Sequence, residues 1–219
     1  MRSKRTFMLL ICLGFAAAYD FALADGTSIA LHGNARGTPA CLACHGAHGE
    51  GIPANGFPRL AGLNAGYLQA QLDAFANGQR VNAVMTPIAK TMNADERTEI
   101  AHYYAGLSSP PTTAEPVAEA HAAGARLATQ GRWPQGLPAC IQCHGAMGAG
   151  VGAVFPALAG QSSRYIENQL HAWQQGTRAP GPLGLMKAVA AKLSDADIQA
   201  IAAYFSALPA RGASPRNKP

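Results

Sequence analysis

Apolar positions along this chain recur with a helical period, and they do so in two matching sets. Tyr67, Leu68, Gln71, Leu72 and Phe75 stand at helical spacing, and Tyr165, Ile166, Gln169, Leu170 and Trp173 repeat the pattern. This spacing predicts one amphipathic helix in each half, stopped by Gly78 and Gly176. A further helix is predicted from Asn93 through Leu107, with Asn93 as N-cap and Glu96 as the returning partner of a capping box. Its twin begins at Ser194-Asp195-Ala196-Asp197 and runs through Leu208, with acids in the first turn where the helix dipole favours them. Glycine- and proline-rich loops lie between these helices, and no stretch alternates with a period of two. The expected fold class is all-α.

The two sets belong to an internal repeat, which is sought before other features because it sets the architecture. Gly26 to Gly33 answers Gly124 to Gly131 at an offset of 98, and Phe57-Pro58-Arg59-Leu60-Ala61-Gly62 answers Phe155-Pro156-Ala157-Leu158-Ala159-Gly160 at the same offset. After a three-residue insertion around Pro180-Gly181-Pro182 the offset becomes 101, so that Met85 matches Met186, Ala89 matches Ala190 and Tyr103 matches Tyr204. Gene duplication accounts for this register. The expected organisation is one domain over 25–109, a proline-stiffened linker over 110–117, a second domain over 118–209 and a disordered tail over 210–219.

Composition changes this picture at the N-terminus. Arg2, Lys4 and Arg5 precede an apolar run from Phe7 to Ala18, and Ala22-Leu23-Ala24 fits a cleavage site. Residues 1–24 therefore read as a signal peptide directing export to the periplasm, and no later stretch reads as a membrane span. An uncleaved anchor is the alternative reading of this run; once it is cleaved, any membrane association would be peripheral. The formal charge of +5 includes this leader; without its three basic residues and one acid, the remainder holds 14 basic and 11 acidic residues, a net +3. The sequence pI of about 9.1 is then no argument for nucleic-acid binding.

Cysteine usage decides the chemistry. Cys12 falls in the leader, and the other four sit in Cys41-Leu42-Ala43-Cys44-His45 and Cys140-Ile141-Gln142-Cys143-His144. A C-x-x-C-H run is a c-type haem attachment site. Two thiols on one turn can each form a thioether to one haem, and the adjacent histidine, here His45 or His144, supplies the proximal nitrogen to iron. A structural zinc site would need four ligands around one metal, and a thioredoxin-like pair gives no reason for the histidine. Two covalent haem c groups are thus expected, and their carboxylates would bring the net charge near −1.

The distal ligand is sought among methionines, whose neutral sulfur favours Fe(II). Met186 is the candidate in the second half; Met147 lies too close to His144 to reach the other haem face. Met85 and Met92 compete in the first half, and Met85 is chosen because it matches Met186, whereas Met92 falls opposite Leu193. The Pro58 and Pro156 carbonyls are candidate acceptors for the second ring nitrogen of each histidine, with loop stiffening as the plain alternative. Arg80 and Arg178, just past the helix-stopping glycines, are expected to be solvent-exposed ahead of pairing with a haem carboxylate or crossing a domain interface. Tyr103 and Tyr204 are expected to pack within the terminal helix contacts, and the unmatched histidines His32, His48, His102, His121 and His171 to be surface or packing residues. No nucleophile-elbow or phosphate-cradling run is present.

These motifs, with Pro-x-Leu-Ala-Gly at 58–62 and 156–160, Met-x-x-x-Ala at 85–89 and 186–190 and Gly-x-Arg at 78–80 and 176–178, make the chain resemble the dihaem cytochromes c4. The resemblance covers everything after the leader. It implies two tandem class I cytochrome c domains, each wrapped around one covalent haem, facing each other for internal electron transfer. It implies His/Met ligation at both irons and a periplasmic carrier that is not itself an enzyme, moving single electrons from respiratory donors towards a terminal oxidase. A dihaem electron-transfer subunit of a periplasmic dehydrogenase complex is the alternative, with a dihaem peroxidase or thiosulfate-oxidising enzyme behind it. Partners in every case are redox proteins such as a membrane cytochrome complex, an oxidase or a dehydrogenase. Met92 in place of the family's leucine, and the Ala179–Gly184 loop before Met186, depart from the family pattern.

Overall fold

The computed structural model describes residues 25–109, 118–179 and 181–210. The expected leader, the linker over 110–117 and the tail beyond Ala210 lie outside the described residues. Among those described, there are ten α-helices, short 3-10 turns and isolated bridges, with no extended strand.

The first half runs α1 (Gly26–His32), α2 (Leu42–His45), α3 (Ala65–Ala76), α4 (Met85–Lys90) and α5 (Ala94–Gly106). The second half repeats it with α6 (Ala118–Gln130), α7 (Ile141–His144), α8 (Ser163–Gln174), α9 (Leu185–Ala190) and α10 (Asp195–Ala207). The periodic segments read from the sequence are α3, α8, α5 and α10. The short or alanine-rich helices α1, α4, α6 and α9 were not visible, because six or seven residues carry too few positions to show a period, and α6 packs through small residues.

Each half has its own core. One gathers Ile29, Leu68, Phe75, Met92, Ile100 and Tyr104; the other gathers Leu127, Ile166, Leu170, Leu193, Ile198 and Phe205. The first and last helices of each half cross at a glycine. A Cβ on Gly26 would lie 2.3 Å from the Glu99 carbonyl oxygen, and one on Gly124 would lie 2.0 Å from that of Ala200. Only glycine lets these backbones approach so closely, which explains why both positions survive in the repeat.

The last helix of each half is started by a capping box. Asn93 accepts from the Glu96 backbone N–H at 2.8 Å and Glu96 accepts from that of Asn93 at 2.9 Å; Ser194 and Asp197 do the same at 3.2 and 3.0 Å. A loop arginine then grips the capping acid in both halves, Arg36 on Glu96 and Arg132 on Asp197. Burial alone would raise the Asp197 carboxyl, but hydrogen bonds from Ser194 and Arg132 hold it below its ordinary value. The loop preceding each haem motif is thereby fixed to the helix that closes the domain.

The halves meet across a seam with local two-fold character. Arg80 and Arg178 form an antiparallel bridge, with Val81 N–H donating to Thr177 O at 2.9 Å and Ala179 N–H to Gln79 O at 2.7 Å. A second set of contacts is one-sided. The Arg59 guanidinium donates to Ala159 O at 3.0 Å and to Ser109 Oγ at 3.1 Å, while Gln161 brackets the Arg59 backbone with two 3.0 Å bonds. Arg59 is 2 % exposed, and burial pulls its guanidinium down to about 10.

Candidate functional site

Each C-x-x-C-H run forms a single helical turn, with the His45 and His144 N–H groups donating to Cys41 O and Cys140 O at 2.9 Å. The turn puts both cysteines and the histidine of each half on the wall of a common cavity. Both histidines are buried, at 7 % and 6 % exposure. The ring nitrogen Nδ1 of His45 lies 3.0 Å from Pro58 O, and that of His144 lies 2.8 Å from Pro156 O. A carbonyl only accepts, so Nδ1 carries the proton and Nε2 keeps its lone pair. Burial also lowers both imidazoles against protonation, outweighing the carbonyl contact. The prolines thus do more than stiffen a loop: their carbonyls fix the tautomer a metal ligand needs.

The loops that deliver those carbonyls are tight in both halves. Gly51 N–H and Gly150 N–H donate to the histidine carbonyls at 2.7 Å, and Ile52 pairs with Phe57 as Val151 pairs with Phe155. Phe57 and Phe155 then sit 6.3 and 6.2 Å from the two imidazole centroids.

A short helix in each half carries the methionine. Met85 opens α4 and Met186 lies in the first turn of α9; both line the cavity. The approach to Met85 is held by Asn82, whose Oδ1 accepts from the N–H groups of Val84 and Met85 at 3.0 and 2.9 Å. The longer loop before Met186 uses a different device, a 3-10 turn over Pro182–Gly184 with Leu183 at φ 54 and 93 % exposed. Met92 is 5 % exposed in the core and Leu193 is 7 % exposed in the corresponding core, and both also line the cavity. The two residues fill equivalent slots.

The cavity has a volume of about 1330 Å³ and runs through both halves. It exceeds the roughly 300–1,000 Å³ of a single small-molecule site, as two large groups require. At its middle stand Arg80 and Arg178, 6 % and 9 % exposed, so the expectation of solvent exposure is corrected. Arg80 donates to Gln71 at 3.0 Å, to Tyr165 at 2.8 Å and to Gln169; Arg178 donates to Gln169 at 3.0 Å, Gln71 at 2.8 Å and Tyr67 at 3.3 Å. Phe75 and Trp173 support the two guanidiniums from below, at 4.4 and 4.0 Å. Burial lowers Arg178, and the Arg80 charge beside it adds to the effect. The Tyr165 hydroxyl, which burial would raise, is pulled below its ordinary value by these two cations. The side-chain hydrogen-bond partners of both arginines are amide and phenol oxygens, so among the described residues two buried positive charges face the cavity without a carboxylate partner. That donor set fits an acidic cofactor such as haem.

The competing metal and redox readings find less support. Among the described residues no group of three or more His, Cys, Asp or Glu side chains converges as a metal cage. Burial pushes the Cys41 thiol up and the Cys140 thiol up to about 11, the reverse of the activated thiolate of a dithiol redox site. Of the unmatched histidines, His32, His48 and His102 are exposed, and His171 bonds Gln174 at 3.0 Å. The His121 side chain lies outside the described residues. Tyr103 and Tyr204 pack edge-on against Tyr104 and Phe205, as expected of them.

Residues 32–108 and 121–209 each match the family described as cytochrome c. The chain is 36 % identical over 208 residues to the cytochrome c4 of Pseudomonas aeruginosa, covering 94 % of this chain and 99 % of that one. The chain belongs to the cytochrome c family, as a dihaem member of the cytochrome c4 type. This cytochrome is also 51 % identical over 171 residues to a thiosulfate dehydrogenase electron acceptor of Thiomonas intermedia, covering 78 % of this chain and 79 % of the relative. The solved structure of a thiosulfate dehydrogenase from Marichromatium purpuratum in its as-isolated form superposes with a TM-score of 0.79 at 44 % identity; the match spans 84 % of this cytochrome but 40 % of that longer chain. Two tandem cytochrome c domains and two covalent haem c groups per chain follow from this membership.

Sequence reading found the haem motifs and the matched methionines but missed Arg59 and Gln161 as the clamp between domains. The signal was present: a charged residue within an apolar motif whose other copy has Ala157.

Proposed function

We propose that this cytochrome is an exported, periplasmic single-electron carrier that performs no reaction on thiosulfate itself, and that its electron donor is a thiosulfate dehydrogenase. Cys41 and Cys44 would hold one haem and Cys140 and Cys143 the other through thioethers, and His45 with Met85, and His144 with Met186, would supply the iron ligands. When bound, haem iron supplies a one-electron Fe(III)/Fe(II) couple. The protein's residues set its environment: buried neutral imidazoles, neutral methionine sulfurs and the Arg80–Arg178 pair all line the cavity. The observation that carries the reading is the equivalence of the halves. Each brings one tautomer-fixed histidine and one methionine to the same cavity, a donor pair that would fill both axial positions of its iron and leave none for substrate. Full ligation weighs against the peroxidase and sulfur-oxidising alternatives. The similarity to an electron acceptor of thiosulfate dehydrogenase favours that donor, with onward transfer to a terminal oxidase.

The test is a reduction assay on the purified holoprotein. Thiosulfate alone is expected to leave both haems ferric, and thiosulfate with a catalytic amount of thiosulfate dehydrogenase to reduce them. Ferric spectra are expected to show only low-spin haem. A high-spin component, or thiosulfate oxidation without added dehydrogenase, would overturn the carrier reading.

A further inference from the structure

The two halves are not chemically identical where the closing helix meets the haem motif. In the first half Tyr104 is 2 % exposed, lines the cavity and belongs to the core against which Cys41 packs, and its hydroxyl offsets part of the rise that burial imposes on the Cys41 thiol. The repeat places Phe205 at the same position, 0 % exposed. The two rings are framed alike. Gly49 backs Tyr104, where an added Cβ would sit 2.8 Å from the ring, and Gly148 backs Phe205, where it would sit 2.6 Å away. Gly62 N–H donates to Tyr104 O at 3.0 Å and Gly160 N–H to Phe205 O at 2.9 Å. Tyr103 and Tyr204 pack against them edge-on at 5.0 and 5.1 Å. The backbone, the neighbouring ring and the glycine beneath are the same; the difference is one hydroxyl. In the second half the corresponding sulfur, that of Cys140, faces the Leu127 carbonyl at 4.0 Å instead of a phenol.

We propose that the Tyr104 hydroxyl donates a hydrogen bond to the Cys41 thioether sulfur and thereby raises the reduction potential of the first haem, a device the second haem lacks. The inference rests on Cys41 being a thioether residue, as proposed above. A thioether sulfur has no proton and only weak acceptor capacity, so the phenol is the donor. Burial, with Cys41, Tyr103 and Glu50 nearby, keeps that phenol protonated. A donor on the sulfur withdraws electron density from the macrocycle, which favours the electron-richer Fe(II) state; hydrogen bonding around a haem is one of the protein's levers on potential. The hydroxyl acts through the sulfur, so Tyr104 is a positioning and tuning residue.

Tyr104→Phe in the full-length holoprotein tests this, because it removes the hydroxyl and leaves the ring its twin already accommodates. A dithionite titration followed by paramagnetically shifted haem methyl signals reads each haem separately. The reduction constant of the first haem is expected to fall about threefold, which is about 28 mV for one electron at 59 mV per tenfold, with the second unmoved. No change at the first haem, or an equal shift at both, would overturn the proposal; the latter is what a general loosening of packing gives. Phe205→Tyr provides the control for ring polarity at a site whose sulfur faces a carbonyl: it is expected to move the second haem by less than Tyr104→Phe moves the first, and an equal or larger shift would overturn the sulfur route. Cys41→Ala separates this from failure of the underlying reading. It should shift the pyridine haemochrome band of the first haem to longer wavelength, and an unshifted band would show that Cys41 carries no thioether.

Discussion

Two proline carbonyls decide how the histidines present themselves. Because Pro58 and Pro156 accept from Nδ1, only Nε2 is left to bind iron, and burial keeps the ring neutral. The equivalence of Met85 and Met186 predicts that Met85→Ala abolishes the long-wavelength ferric Fe–Met band of the first haem. Met92→Leu, which installs the residue its twin position holds, should leave that band intact and cost less than about 1.5 kcal/mol by urea denaturation. At this scale the two C-x-x-C-H runs were legible because haem attachment demands fixed residue types at fixed spacing. Arg59 and Tyr104 were not, because their roles depend on what lies across an interface or at a ring tip, and no spacing rule encodes either.

Among the helices, the caps and crossings carry testable stability. Asn93→Ala removes the acceptor for the Glu96 N–H and should cost about 1 kcal/mol. Glu96→Ala should cost more, since Asn34 and Arg36 lose the same buried carboxylate. Gly124→Val forces a side chain against the Ala200 carbonyl and is expected to destabilise the second half by about 1–3 kcal/mol or more, read as an earlier thermal transition. The caps were legible from sequence as Asn-x-x-Glu and Ser-x-x-Asp, since a cap is a local device. The glycine crossings were visible only as matched letters. Their purpose, close approach of two helices about 75 residues apart in sequence, is a tertiary fact.

For the whole molecule, the Arg80–Arg178 pair is the correction that matters most. Both arginines look like ordinary surface residues after a helix stop, yet together they form the polar centre of the seam. A buried positive charge beside the haem cavity favours Fe(II). Arg80→Gln should therefore lower the potentials of both haems, by about 1 kcal/mol or roughly 40 mV each if the charge acts over ~15 Å at an effective dielectric of ~20. Redox titration checks this, and a shift confined to one haem would show that the pair does not act centrally. The seam has a consequence for origins. Its central residues exchange equivalent contacts: Arg80 reaches Tyr165 and Gln169 as Arg178 reaches Tyr67 and Gln71. That is the self-complementary pattern of a two-fold homodimer. A single-haem ancestor carrying one such arginine, glutamine and tyrosine already possessed both sides of the contact, so duplication needed only to tether two copies that could already associate. The one-sided Arg59 clamp, with Ala157 at the matching position, breaks that symmetry, as two copies encoded separately along one chain allow.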